Sequence, residues 1–289
     1  MFFHALLLSA TVAVAPVQTE YRRTPYVGAI AVNAANGQVI RRDNEQRECY
    51  PASCTKLMTA RLALKEVAAG RLSLDDRLTQ SEVSFREKPS WIGIPIGKTV
   101  SVRDGFKALM VQSANDVAVM FAERIGGSVS NFVAMMNAEA GRLGMERTVY
   151  VSPNGYPPPK GSKRGFDRST AADLARLAKS LIDDFPQLLE YTSLESVTIP
   201  GVLTKEGGLL QMYNHNNLLV GNKKSGIRKM PEVDGLKTGY HDAGGSSIVL
   251  TGRRNGKRAI VVVVGSSSAA ARDESAGALL TDALGALDW

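Results

Sequence analysis

Three short stretches of this chain hold side chains whose types and spacing permit chemistry. In "CYPASCTKLMTA", Ser53 and Lys56 stand three residues apart at a helix start. That spacing puts both side chains on one helix face. A serine hydroxyl becomes a nucleophile when a base takes its proton, and a lysine is such a base once burial or a nearby cation lowers its pKa. A helix N-terminus also favours an oxyanion. The same residues suit an ordinary capped helix, so the pair alone does not decide. In "VQSANDVAV", Ser113 and Asn115 fall at a break between two apolar helical runs, where polar side chains either aim into a cleft or cap a turn. The pattern repeats at Ser152 and Asn154 and is of low specificity. In "VDGLKTGYHDAGG", Lys237 and Thr238 pair one charge with one hydroxyl, a combination that holds a carboxylate, and Gly239 clears a strand for a ligand backbone. A hairpin strand with an exposed lysine would read the same way.

The elements that must position these groups can be read from periodicity. "YVGAIAVNAANGQVIRRDN" alternates around Asn36-Gly37 and predicts a β-hairpin with a type I′ turn. An apolar helical run follows from Thr55 to near Gly70. "RLSLDDRLTQSEVSFREKPSWIGIPIGKTVS" is turn-rich and reads as a long surface loop. Two helices then flank a break at Gln112 to Asp116. A third ends near Gly144, and a fourth starts after Ser169 and Thr170. After Pro186 the segments "SVTIP", "LLQMYNHNNLL", "VDGLKTGY", "SSIVLTGRR" and "RAIVVVVGSS" are strand-like, with Asn255-Gly256 as a second hairpin turn. "ARDESAGALLTDALGAL" closes as a helix. Strands on either side of a helical block predict an α/β domain with one antiparallel sheet and a helix-rich insertion lobe at about 75–180. Sites usually lie in the groove between such lobes.

With 289 residues, 44% hydrophobic content and a net charge of +7, the chain suits a single large domain. Its lysines and arginines are scattered and not interleaved with aromatics, which argues against nucleic-acid binding. "MFFHALLLSATVAVAPVQTE" carries no Lys, Arg, Asp or Glu before Glu20 and reads as a secretory leader over residues 1–18. The domain would then span 19–289. No later run is apolar enough to span a membrane. Cys49 and Cys54 are the chain's two cysteines; whether they pair is open, and no His or carboxylate cluster joins them as a metal site.

Each stretch is weak alone, but Ser-x-x-Lys, Ser-x-Asn and Lys-Thr-Gly in that order form the set shared by β-lactamases and penicillin-binding proteins. From about Tyr26 to Gly265 the chain resembles the serine D-alanyl-D-alanine carboxypeptidases among low-molecular-mass penicillin-binding proteins. The likeness extends to "PASCTKLMTA", "NNLL" and "VDGLKTGY". It implies a β-lactamase/transpeptidase-like fold and a periplasmic or otherwise extracytoplasmic hydrolase that removes the last D-alanine from peptidoglycan stem peptides, needs no cofactor or metal, and is acylated by β-lactam antibiotics. By that resemblance Ser53 would form the acyl-enzyme and Lys56 would be its base. Ser113, helped by Lys237, would pass a proton to the leaving group. Asn115 would bind the peptide amide and Thr238 the terminal carboxylate, and the N–H groups of Ser53 and Tyr240 would form the oxyanion hole.

Departures from the pattern set further expectations. Cys54 should point away from the reactive face of Ser53. His215 falls where some relatives place an arginine for the substrate carboxylate; in that role, binding would weaken as it deprotonates above pH ~6.5. The sequence shows no C-terminal β-domain or anchor helix, which leaves DD-endopeptidase action on cross-links open. A class A β-lactamase would add a glutamate to activate water, and "VYVSPNGYPPP" has none. A Ser-His-Asp hydrolase lacks its G-x-S-x-G. An inactive peptidoglycan binder would not need Ser53, Lys56, Ser113 and Lys237 together.

Overall fold

The computed structural model describes residues 25–158, 161–221 and 229–288. The leader expected at 1–18 lies outside them. The frame is an antiparallel sheet of five strands: β1 (Gly28–Asn33), β2 (Val39–Asp43), β7 (Val233–His241), β8 (Gly245–Arg254) and β9 (Lys257–Ser266), in the order β2-β1-β9-β8-β7. β1 lies beside β9, with Ala29 opposite Val263. The first strands thus close on the last, and the helical block is an insertion between them.

The valine run of β9 follows from burial on both faces, which favours continuous apolar sequence over alternation. Val261 and Val263 face α8 (Ala269–Leu287) and pack with its Ala276, Leu280, Ala283 and Leu284. Ile260, Val262 and Val264 face the main core beneath α1 (Lys56–Ala68) and α6 (Ala171–Asp184). Each such side chain contributes about 1.5–3 kcal/mol by leaving water. Among the described residues, no helix is long and apolar enough to cross a membrane.

The insertion carries two short strands, β3 (Arg77–Thr79) and β4 (Thr99–Ser101), which pair with each other. α2 (Glu82–Phe85) lies between them, its first turn closed by a Ser81/Ser84 capping box. α3 (Val102–Lys107) runs into a π-helical turn at Ala108–Gln112. The chain then breaks at Ser113, whose φ of 61° and ψ of 35° are left-handed. α4 (Asn115–Gly126) and α5 (Val129–Arg142) follow, with Gly144 at φ 68° ending the second. Arg61 of α1 is buried, and its guanidinium ties the helices together. It donates to Glu139 of α5 at 2.7 Å, and to Asp184 at 2.7 Å and the Ser180 carbonyl at 3.0 Å on α6.

Three expectations need correction. Asn255 and Gly256 both have positive φ, 51° and 78°, and join β8 to β9 in the two-residue turn expected. At Asn36-Gly37 only the glycine does, and Gly37 N–H donates to the Asn33 carbonyl in a longer loop. Asn33 and Asn36 accept bonds from the N–H groups two residues on, which builds that loop in place of a type I′ turn. In "LLQMYNHNNLL" only Met212–Tyr213 is strand, β6, paired with β5 (Ser196–Val197). Asn214 and Asn216 bond the N–H groups of Asn216 and Leu218 and so draw the backbone away from a ladder. Finally, the stretch from 71 to 101 is not a plain surface loop, because Ile92 and Ile94 are buried against the helical block.

Candidate active site

The nucleophile candidate sits on a tight 3-10 turn, Ala52–Thr55, that leads into α1. Neither Pro51 nor Thr55 makes a side-chain cap at these helix starts. The capped-helix reading of Ser53 therefore fails, since its hydroxyl meets Lys56 instead. Lys56 is wholly inaccessible to solvent. Its Nζ lies 2.8 Å from Ser53 Oγ, 2.7 Å from Asn115 Oδ1 and 2.7 Å from the Asn154 carbonyl. Burial, then the Lys237 charge, push its pKa well below the ordinary lysine range. A neutral amine fits this cage. Its two N–H bonds serve Asn115 and Asn154, and its lone pair is left for the Ser53 proton.

The left-handed turn at Ser113 lets the chain reverse between the π-turn and α4, which delivers Asn115 to the lysine. On the other side, residues 151–155 are held by the buried Asp167. It accepts from Val151 N at 2.6 Å, from Ser152 N at 3.0 Å and from Ser152 Oγ at 2.6 Å. Gly155, at φ 75°, allows this loop to lie on the Ala52 carbonyl, where a Cβ would collide. The second Ser-x-Asn is thus part of the site: Asn154 presents its carbonyl to Lys56 and its amide to Glu87 at 2.7 Å.

β7 is the edge strand that lines the cleft. Gly239 lacks a side chain for a reason other than the one expected. A Cβ there would stand 2.5 Å from the Pro51 carbonyl and 3.0 Å from Ser53 N, so the space belongs to the nucleophile's own turn. Lys237 is buried, donates to the Thr238 carbonyl at 3.0 Å, and has its pKa lowered to about 8, chiefly by burial. Cys54 points under β7, its thiol 3.6 Å from the Lys237 carbonyl. Cys49 and Cys54 are both buried free thiols. Tyr240 is 63% exposed and donates to Asp242 at 2.8 Å.

His215 opens into a cavity of about 650 Å³ that Asn214, Asn217, Tyr213 and Arg272 also line. The residue is exposed, yet crowding by protein, then Lys237, Lys56 and Arg272, push its pKa down to about 4. That direction runs against the change of charge expected near pH 6.5. Among the described residues lining this cavity, the cation is Arg272 at the start of α8, which no motif in the sequence singled out and which pairs with Asp273 at 2.6 Å. Among the described residues, no cluster of three or more His, Cys, Asp or Glu side chains could hold a metal.

The structure therefore joins Ser53, Lys56 and Asn115 by direct contacts, and places Lys237, Thr238 and Tyr240 on the strand against the Ser53 turn. Sequence patterns passed over Asn154, Asp167, Glu87 and Arg272; only the repeated Ser-x-Asn pointed to the first.

The chain is similar to known proteins. A family model described as D-alanyl-D-alanine carboxypeptidase matches residues 21–268. The D-alanyl-D-alanine carboxypeptidase DacD of Salmonella typhimurium is 31% identical over 226 residues, covering 76% of this chain and 53% of that protein. The chain spans about half the length of the first curated relatives it matches. The crystal structure of DacD from Francisella tularensis superposes with a TM-score of 0.81 at 25% identity, covering 96% of this chain and 75% of that one. Ampicillin-bound penicillin-binding protein D2 from Listeria monocytogenes superposes at 0.72 with 30% identity, covering 90% and 97%. The transpeptidase-like fold expected from the sequence is the fold observed.

Proposed function

The chain belongs to the D-alanyl-D-alanine carboxypeptidase family of serine peptidases, and from that premise we propose that it cleaves the terminal D-Ala-D-Ala bond of peptidoglycan stem peptides through an acyl-enzyme on Ser53. The observation that carries this reading is the cage around Lys56, in which a buried amine of depressed pKa touches Ser53 Oγ and has two acceptors for its remaining hydrogens.

Lys56 takes the Ser53 proton as Oγ attacks the carbonyl carbon. The developing oxyanion is held by the N–H groups of Ser53 and Tyr240, fixed donors of the kind that stabilise such charge best. Collapse of the tetrahedral species breaks the C–N bond, and the leaving D-alanine amine takes a proton by way of Ser113 with Lys237 behind it. Water then adds to the ester, returning Ser53 and the shortened peptide. Asn115 holds the peptide amide. The substrate carboxylate sits between Thr238 and the positive charge of Lys237 and Arg272. His215, neutral, offers a hydrogen bond there and no charge. Penicillins enter the same path because their strained amide presents an equivalent carbonyl to Ser53. Such a substrate lies outside the cytoplasmic membrane, where the leader expected at residues 1–18 would send the chain.

Incubation with a stem pentapeptide and, separately, with cross-linked dimers tests this reading. Free D-alanine from the pentapeptide is expected; no release from either substrate would refute it. Cleavage of dimers alone would make the protein an endopeptidase.

A further inference from the structure

Asp116 follows Asn115 in the first turn of α4 and is fully buried. Burial and backbone N–H groups set the environment of its carboxylate, and among the described residues no cation pairs with it. Its oxygens accept from Ile92 N at 3.0 Å, Gly93 N at 3.0 Å and Val117 N at 2.9 Å. A buried charge without an ionic partner is costly to keep, so what it binds is informative. It binds the segment expected to be a surface loop.

That segment is tied to the Ser113 break at two further points. Ser90 Oγ donates to the Gln112 carbonyl at 2.8 Å, and the Ser90 carbonyl accepts from Asn115 N at 2.6 Å. Upstream, Glu87 accepts from the Asn154 amide at 2.7 Å. Residues 87–93 therefore reach both acceptors of the Lys56 cage. One is met through Asn154, the other through the first turn of α4.

We propose that Asp116 is a positioning residue for acyl transfer, clamping residues 92–93 to the start of α4 and so holding Asn115 against Lys56. The carboxylate is required because both of its oxygens accept from N–H groups. An asparagine of the same shape would turn an N–H₂ group toward one of them and replace attraction by a clash of donors. Loss of the clamp lets the 112–115 break relax, and misplacement by about 1 Å at a reacting group slows chemistry roughly 100-fold.

The proposal rests on Ser53 being the acylated group, and the experiment separates the two. Acylation by a fluorescent penicillin is timed in wild type and in Asp116→Asn. Asp104→Asn serves as a control, because Asp104 lies in the first turn of α3, bonded to Ser101 and Lys107, and touches neither residues 87–93 nor the break. Thermal melting is recorded for each variant. Trp91 supplies a spectroscopic signature. It packs edge-on against Phe85 at 5.2 Å and lies under Lys88 Nζ at 4.6 Å, and in a Trp289→Phe background it is the remaining tryptophan.

The expected result for Asp116→Asn is acylation slowed by about 10- to 100-fold with a red-shifted Trp91 emission, while Asp104→Asn acylates at the wild-type rate even if it melts lower. Wild-type acylation speed in a folded Asp116→Asn would overturn the proposal, as would equal slowing in the control. No acylation of wild type would instead overturn the proposed function. If Asp116→Asn does not fold, Ser90→Ala replaces it, since it removes another tie between segment and break: slowing of several-fold is expected, and an unchanged rate would overturn the proposal.

Discussion

Lys56 Nζ and Asn115 Oδ1 meet at 2.7 Å across 59 residues of sequence. That contact joins the helix that begins beside Ser53 to the helix that begins after Ser113, and so brings two of the three motifs into one site. Burial and the Lys237 cation push the pKa of this lysine well below its ordinary range, which favours the neutral amine a base requires. Replacing Lys56 with methionine keeps the stem's volume and removes the amine. Acylation by penicillin is expected to fall by about 10³-fold or more, within the range for loss of a general base, while the melting temperature holds or rises because an amine is no longer buried. Stopped-flow acylation rates and a thermal melt check both.

Lys237 and His215 predict the pH dependence of substrate binding. Lys237 has its pKa lowered to about 8; it is charged below that pH and neutral above it, so attraction for a substrate carboxylate is lost as pH rises past 8. His215, at about 4, stays neutral from 5.5 upward. KM for the pentapeptide should be flat from pH 5.5 to about 7 and rise through pH 8 as Lys237 loses its charge. A rise centred near 6.5 would instead return His215 to the role of carboxylate-binding cation.

Gly239→Ala tests the contact between β7 and the nucleophile's turn. The new Cβ meets backbone atoms of Pro51 and Ser53, which cannot swing aside as a flexible side chain would. Displacement of Ser53 should slow acylation by about 100-fold. Gly256→Ala gives the contrast, since a Cβ there meets nothing within 4 Å and only the positive φ is strained. It should destabilise by about 1 kcal/mol and leave the acylation rate unchanged.

How much of this was legible beforehand follows from how each residue acts. Ser53, Lys56, Lys237 and Thr238 act through their side chains at fixed short spacings, so the sequence displays them. The sheet was legible too, because the valine run of β9 and the Asn255-Gly256 turn have local causes. Asn154 acts on Lys56 through its backbone carbonyl, a group every residue has, so no residue type marks it. Arg272 stands at a helix start remote from every motif and reaches the cleft only because α8 folds back on the sheet. Residues 87–93 looked like loop because their order comes from bonds to Asp116, Gln112 and Asn154, partners far along the chain.

Glu139 predicts acid stability. Burial raises its pKa, but hydrogen bonds from Arg142, Lys65 and Arg61 outweigh this and hold it at about 2. A carboxyl depressed in the fold stabilises above its unfolded pKa, and that contribution is lost as pH falls from about 4.5 toward 2. Glu139→Ala should cost about 3 kcal/mol at neutral pH, the low end for breaking a buried pair, because Asp184 and the Ser180 carbonyl still hold Arg61. Urea denaturation at pH 7 and pH 3 checks the size, and the difference between variant and wild type should shrink at the lower pH.

Intact-protein mass spectrometry after mixing with benzylpenicillin, followed by peptide mapping, tests the proposed acyl-enzyme most directly. One equivalent of penicilloyl mass on the peptide bearing Ser53, absent from Ser53→Ala, is the predicted result. No adduct on the wild type, or an adduct that persists in Ser53→Ala, would contradict the assignment of Ser53 as the nucleophile.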